Sequence, residues 1–234
     1  MIALLRYQTA ILLRSHRWIF PLIAYGLLVA AGATSPAPGS ALLAAQSTQL
    51  AQGLDWSAAM LVPVVAFLTR SMLTAEPDAA RACVAAAAGP AQAQLAALLT
   101  ALGGGIVLGL GGACLTPLIT GTAAAAAAHP EIFAAGLLTA VVCVLVGSAV
   151  GALCNPPLLR HPGAAMLATL AAALFALASD VSPASAALRR GGTSHGAQGP
   201  GLVPLLAAAC LLAVIWGASL YAGARRDTRA PSAT

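Results

Sequence analysis

Lysine is absent from this chain: all eleven basic residues are arginine, set against six acidic ones. Charged residues fill only 7% of its 234 positions and aromatics 4%. A soluble domain carries about 25% charged residues, so this composition cannot cover a water-exposed surface. The missing lysine excludes something further. A GxxxxGK[ST] loop uses its lysine to reach nucleotide phosphates, so no standard ATP-binding loop exists in the chain. HExxH, GxSxG and Cys/His nucleophile patterns are missing too. No enzymatic activity, cofactor or metal site is therefore expected. The five cysteines, Cys83, Cys114, Cys143, Cys154 and Cys210, form no CxxC or Cys/His cluster and read as small apolar filler.

What the chain has is apolar length. It is 60% hydrophobic with a mean hydropathy of +0.90, which places it among integral membrane proteins. The expected fold is all-α, a polytopic bundle of about six transmembrane helices. Crossing the hydrocarbon core takes about 20 mostly apolar residues, and such runs lie near 18–34, 54–73, 93–117, 132–153, 163–179 and 202–223. Near 117–131, Pro117 either ends the third span or kinks it, and five or seven spans are the alternatives to six. The net charge of +5 does not point to nucleic acid. The arginines lie between apolar runs, where anionic lipid and topology account for them.

With both termini in the cytoplasm, nine of the eleven arginines fall on the inner side and only Arg189 and Arg190 outside. The positive-inside rule favours that orientation in the plasma membrane. Three regions follow: an N-terminal interfacial helix over 1–17, a transmembrane domain over 18–223, and a cytoplasmic tail over 224–234. In the first, Ile2, Leu5, Ile11 and Leu12 can meet lipid while Arg6, Gln8, Arg14 and Arg17 stay among headgroups. A basic start, the apolar run 18–30 and Ala31-Gly32-Ala33 also make a signal-peptide pattern. The long, amphipathic basic segment favours the interfacial helix.

The first cytoplasmic loop, 74–90, is unusual. Arg70, Glu76, Asp78 and Arg81 gather there in a chain otherwise poor in charge. Glu76 and Asp78 bracket Pro77, which suits a first helical turn. Ala79 to Ala88 is nearly all alanine, the best helix former, and Gly89-Pro90 stops the helix. The result is a helix of roughly 12 residues, about 18 Å long, too short to cross.

The spans themselves offer no ionisable group at mid-membrane; Asp55, Arg70, Glu131 and Asp180 are expected at the edges. An ion-coupled carrier usually needs such a group, so driven transport would draw its energy from another polypeptide. Gly105 and Gly109, like Gly147 and Gly151, form GxxxG pairs that let helices approach closely, here most simply within one subunit. Cys154-Asn155-Pro156-Pro157 to His161-Pro162-Gly163 reads as a rigid cytoplasmic turn, and Arg189 to Gly201 as a flexible outer loop.

Taken together, Met1 to Arg17, Glu76, the helix from Pro77 to Ala88, and Gly89-Pro90 resemble the permease subunit of a bacterial ABC transporter of the six-span, drug-exporter-like class. In that family an amphipathic helix precedes the first span, and the loop after the second carries a short coupling helix. The resemblance implies a cytoplasmic ATP-binding-cassette ATPase as partner, a homo- or heterodimer of permease subunits in membrane lipid, and export driven by ATP. It also implies that Glu76, Pro77, Asp78, Arg81 and Gly89 form the coupling contact. The family's usual Gly-Thr-Leu-like run after the glutamate is not found here. The alternative is a membrane scaffold or immunity protein that transports nothing.

Overall fold

The computed structural model describes residues 2–14, 16, 18–33, 44–74, 78–154, 162–193 and 202–227. Ten helices make up the regular structure among them: α1 (Ile2–Arg14), α2 (Ile19–Ala33), α3 (Ala44–Leu73), α4 (Asp78–Ala88), α5 (Pro90–Ile119), α6 (Ala123–Ala128), α7 (Pro130–Leu153), α8 (Pro162–Ala178), α9 (Pro183–Thr193) and α10 (Leu202–Asp227). The chain is an all-α bundle, as its composition predicts. The expected coupling residues Glu76 and Pro77 lie outside the described residues, as do the turn at 155–161, the stretch 194–201 and the tail beyond 227.

Among the described residues, four helical segments are long and apolar enough to cross a membrane: Gln46–Leu73, Pro90–Ile119, Pro130–Leu153 and Leu202–Tyr221. Gly163–Ala178 and Pro183–Arg189 qualify together as a pair bent by 44°, which raises the count to five. The chain is thus a multi-pass membrane protein, with fewer full-length spans among the described residues than the six expected. The shortfall lies at α2. Its 15 residues cover about 22 Å, less than the roughly 30 Å hydrocarbon core.

Close contacts fix how the helices run. Gly136, Gly147 and Gly151 of α7 lie beside Leu54, Val62 and Ala66 of α3 in the same order, so α3 and α7 are parallel. Gly105 and Gly109 of α5 lie beside Val65 and then Leu61, so α5 is antiparallel to both. Phe20 of α2 packs on Phe67 with ring centroids 5.7 Å apart. At the other end of α2, the Trp56 indole donates to the Leu28 carbonyl at 2.8 Å, so α2 is antiparallel to α3. Ala208 of α10 belongs to the central apolar cluster. Leu212 and Trp216 join Leu98, Ala149 and Ala152 in a second cluster, so α10 runs with α7. The bent pair α8–α9 must then carry the chain back across once.

The core centres on α3, which packs most extensively against α7 and also meets α5, α2, α8 and α9. Four threonine hydroxyls in this apolar interior turn onto their own helices. Thr100 donates to the Ala96 carbonyl at 2.9 Å, Thr116 to Gly112 at 2.8 Å, Thr139 to Ala135 at 3.0 Å and Thr169 to Ala165 at 2.7 Å. Where no water competes, bonding the carbonyl four residues back satisfies the donor without a second helix.

Two expectations need correction and one open alternative is decided. α3 begins ten residues before the anticipated 54. Of the two alternatives at Pro117, the helix continues: α5 runs two residues further to Ile119. There Gly121 takes φ 71, and the Thr122 N–H donates to the Pro117 carbonyl at 2.9 Å, closing a Schellman-type turn. Finally, Arg189 to Gly192 are helical within α9 rather than part of a flexible loop. Ser182 caps this helix, accepting the Ala184 N–H at 3.3 Å, and Pro183 fits its first turn. Arg189 pairs with the Asp180 carboxylate and donates to the Asp180 carbonyl at 3.0 Å, pinning the bend between α8 and α9.

Candidate functional site

The charged segment after α3 folds largely as its residues dictate. Asp78 opens α4 and Arg81 lies in its first turn. Thr74 ends the preceding helix by donating its hydroxyl to the Arg70 carbonyl at 3.1 Å. Gly89 separates α4 from α5 with φ 88 and ψ 144, a backbone that L side chains rarely adopt. Its N–H donates to the Ala85 carbonyl at 2.8 Å, and its own carbonyl accepts the Ala93 N–H at 3.2 Å. One residue thus ends α4 and starts α5, while Pro90, which has no N–H to lose, occupies the first position of α5. α4 packs on α5. Its other side exposes Ala79, Ala82, Cys83, Ala86 and Ala87, positions that share one helical face. That face is smooth, small and free of charge.

The four packing glycines fall into two kinds. A Cβ at Gly147 would stand 2.8 Å from the Val62 carbonyl oxygen, and one at Gly151 2.5 Å from that of Ala66. There α7 touches the main chain of α3, which cannot move aside. A Cβ at Gly105 would meet Val65 and Val144 side chains at 3.1 Å, and one at Gly109 Leu61 and Val144 at 3.3 Å. All four glycines therefore serve contacts within a single copy of the chain. Gly112 belongs with them: the Tyr25 ring and hydroxyl of α2 occupy the space a side chain would fill.

Asp55 is the site residue that the sequence pattern misplaced. It was expected at a span edge, but α3 begins at Ala44, which puts Asp55 well inside a 30-residue helix. Its neighbour Leu54 packs against Gly136, six residues into α7, or about 9 Å along that helix. Asp55 is half-buried and within electrostatic range of the Cys143 thiol of α7. Among the described residues it has no hydrogen bond and no ion pair. The buried polar atoms of Thr69, Ser148 and Trp216 also lack hydrogen-bond partners among the described residues.

N-terminal helix α1 packs on α5. Gln8 is buried to 1% exposure rather than held among headgroups, whereas Ile2 and Leu13 are open. The described residues bring no three His, Cys, Asp or Glu side chains together around a possible metal ion. Cys143 and Cys154 are buried, while Cys83, Cys114 and Cys210 are exposed, all five as free thiols. Comparison with protein-family models, with curated proteins and with solved structures finds no match.

Proposed function

We propose that this chain is the membrane-spanning permease subunit of an ATP-driven ABC transporter, working as an exporter with a separate cytoplasmic ATPase and a second permease subunit. ATP is hydrolysed on the partner, and this chain supplies the pathway. It lies in the plasma membrane with both termini inside, the orientation favoured by the arginine distribution. α2 runs antiparallel to α3, and with α2 counted as a short sixth crossing the alternating helix directions suit a chain that ends on the side where it began.

The observation that carries this reading is α4. An 11-residue helix sits between two long membrane helices and is turned away from α5 at a glycine with positive φ. Its exposed small-residue face could seat in a groove of a soluble partner. α5 follows α4 after a single residue, so a push on α4 would be delivered directly to a 30-residue membrane helix.

The test is co-purification in detergent of the tagged chain with the ATPase encoded beside it. Native chain should retain the ATPase, and Ala86→Arg, which places a bulky cation on the exposed face of α4, should reduce capture at least tenfold. Glu76→Ala and Arg81→Glu should weaken it as well. Folded native chain that captures no ATPase would overturn the proposal, as would full capture by Ala86→Arg.

A further inference from the structure

We infer that Asp55 is the anchor of a binding site for an amphipathic organic cation, an ammonium or phosphonium group carrying an apolar body, entered from the membrane face opposite Arg70. The inference deepens the transporter reading by naming a substrate class, and it rests on that reading only for the step of transport.

Depth comes first. Asp55 precedes Arg70 by fifteen residues on one continuous helix, about 22 Å along its axis. If Arg70 marks one boundary of a hydrocarbon core about 30 Å thick, Asp55 lies about 8 Å inside the other. Its distance below the start of α7, measured through Leu54 and Gly136, agrees. An ionisable residue at such depth is costly to place and ordinarily faces a partner or a water-filled cavity.

Among the described residues none forms a hydrogen bond or ion pair with Asp55. Arg70 is too far along the helix, Arg189 is committed to Asp180, and His129 pairs with Glu131 at 3.1 Å. A small hard cation is also a poor fit, since it needs about six oxygen ligands and among the described residues no cluster of acidic side chains converges here.

The surroundings suit a larger ion. Thr48, Gln52 and Asp55 follow one another at helical spacing, so they share one face of α3. Gln52 is exposed, and Asp55 is the innermost polar group of the stripe. Ala59 and Pro63 continue it inward with small apolar surface. Trp56, on the same turn, is held by its indole N–H and leaves 42% of its surface exposed, an aromatic wall of the kind that attracts organic cations.

The probe is tetraphenylphosphonium, measured by equilibrium binding to the purified chain in phosphatidylcholine nanodiscs without ATPase or ATP. Saturable binding near one per chain is expected, weakened roughly tenfold or more in Asp55→Asn and largely kept in Asp55→Glu. Uncharged triphenylphosphine oxide should not displace it. Should Asp55→Asn fail to assemble, dicyclohexylcarbodiimide gives the same answer on native protein: the probe should protect Asp55 from modification by at least tenfold. Displacement by phosphatidylethanolamine would identify a lipid ammonium as the natural occupant, and persistence in its presence a free amphiphile; either supports a cation site. Equal affinity in Asp55→Asn, unsaturable partitioning alone, or unprotected labelling of Asp55 would overturn it. Loss of ATPase capture with binding intact would remove the transporter reading and leave this one.

Discussion

Helices α7 and α10 are both apolar segments long enough to cross a membrane, yet the bundle treats them differently. Of the most apolar stretch of α7, 56% is buried inside the protein; of that of α10, only 22%. Total apolarity cannot distinguish them, because lipid and protein interior are equally good solvents for a leucine. What differs is the distribution of size. α7 carries Gly136, Gly147, Ser148 and Gly151 along the side that meets α3, all buried. α10 turns Leu202, Val203, Leu206 and Val214 outward, each more than 60% exposed. Close packing in a membrane comes from small residues that admit a neighbour's backbone. Large ones on an exposed face are ordinary lipid contacts.

The strongest way to break this contrast is Gly151→Leu. Its Cβ would already meet the Ala66 carbonyl oxygen at 2.5 Å, and the group that must yield is the main chain of the central helix. A cost of at least ~3 kcal/mol is expected, at the upper end for overpacking, enough to abolish folded protein. Size-exclusion recovery from detergent would read it. A monodisperse Gly151→Leu chain with native melting would show that α3 and α7 are not in backbone contact.

Much of this arrangement is legible in the residues. α5 and α7 begin and end within three residues of the apolar runs that announced them. α4 covers Asp78–Ala88 because a run of alanine followed by Gly-Pro has few other conformations. GxxxG spacing alone could not say that Gly147 and Gly151 face carbonyls of α3 while Gly105 and Gly109 face valine and leucine side chains. The start of α3 was hidden for a different reason. Gln46, Ser47, Thr48, Gln49 and Gln52 lower its apolarity, yet Leu50 and Leu54, four residues apart on one face, are fully buried. That is a helical period rather than an apolar run, and it was the cue that would have moved Asp55 inward. α9 was likewise announced by Ser182-Pro183, a cap followed by a first-turn proline. The glycines after it argued for a loop, and the Arg189–Asp180 pair and its cap outweighed them.

A smaller effect is expected where α10 does attach. Trp216 is 9% exposed and sits with Leu98, Ala149, Ala152 and Leu212. Trp→Ala in a soluble core costs about 3–5 kcal/mol. Here about 2–3 kcal/mol is expected, because acyl chains can refill part of the space and the buried indole N–H has no hydrogen-bond partner to lose among the described residues. Thermal unfolding in nanodiscs should show α10 loosened, with trypsin cleavage at the arginines of its C-terminal end accelerated. No change in either would place α10 outside the cooperative unit altogether.

The finest test applies one chemical change to both helices. Val146 of α7 is 1% exposed and Val214 of α10 is 69% exposed. Val→Ala removes the same two methyl groups at each. At Val146 the neighbours are fixed side chains of the central cluster, so a void remains and its lining loses dispersion contacts, worth about 1–2 kcal/mol. At Val214 the neighbours are mobile acyl chains that close over alanine, so the expected cost is below ~0.5 kcal/mol. Paired unfolding measurements in the same nanodiscs would read the difference directly. Equal losses would mean that the outward face of α10 is covered by protein, as it would be at a permanent interface with a second subunit, and a rerun at higher dilution would separate that cover from lipid.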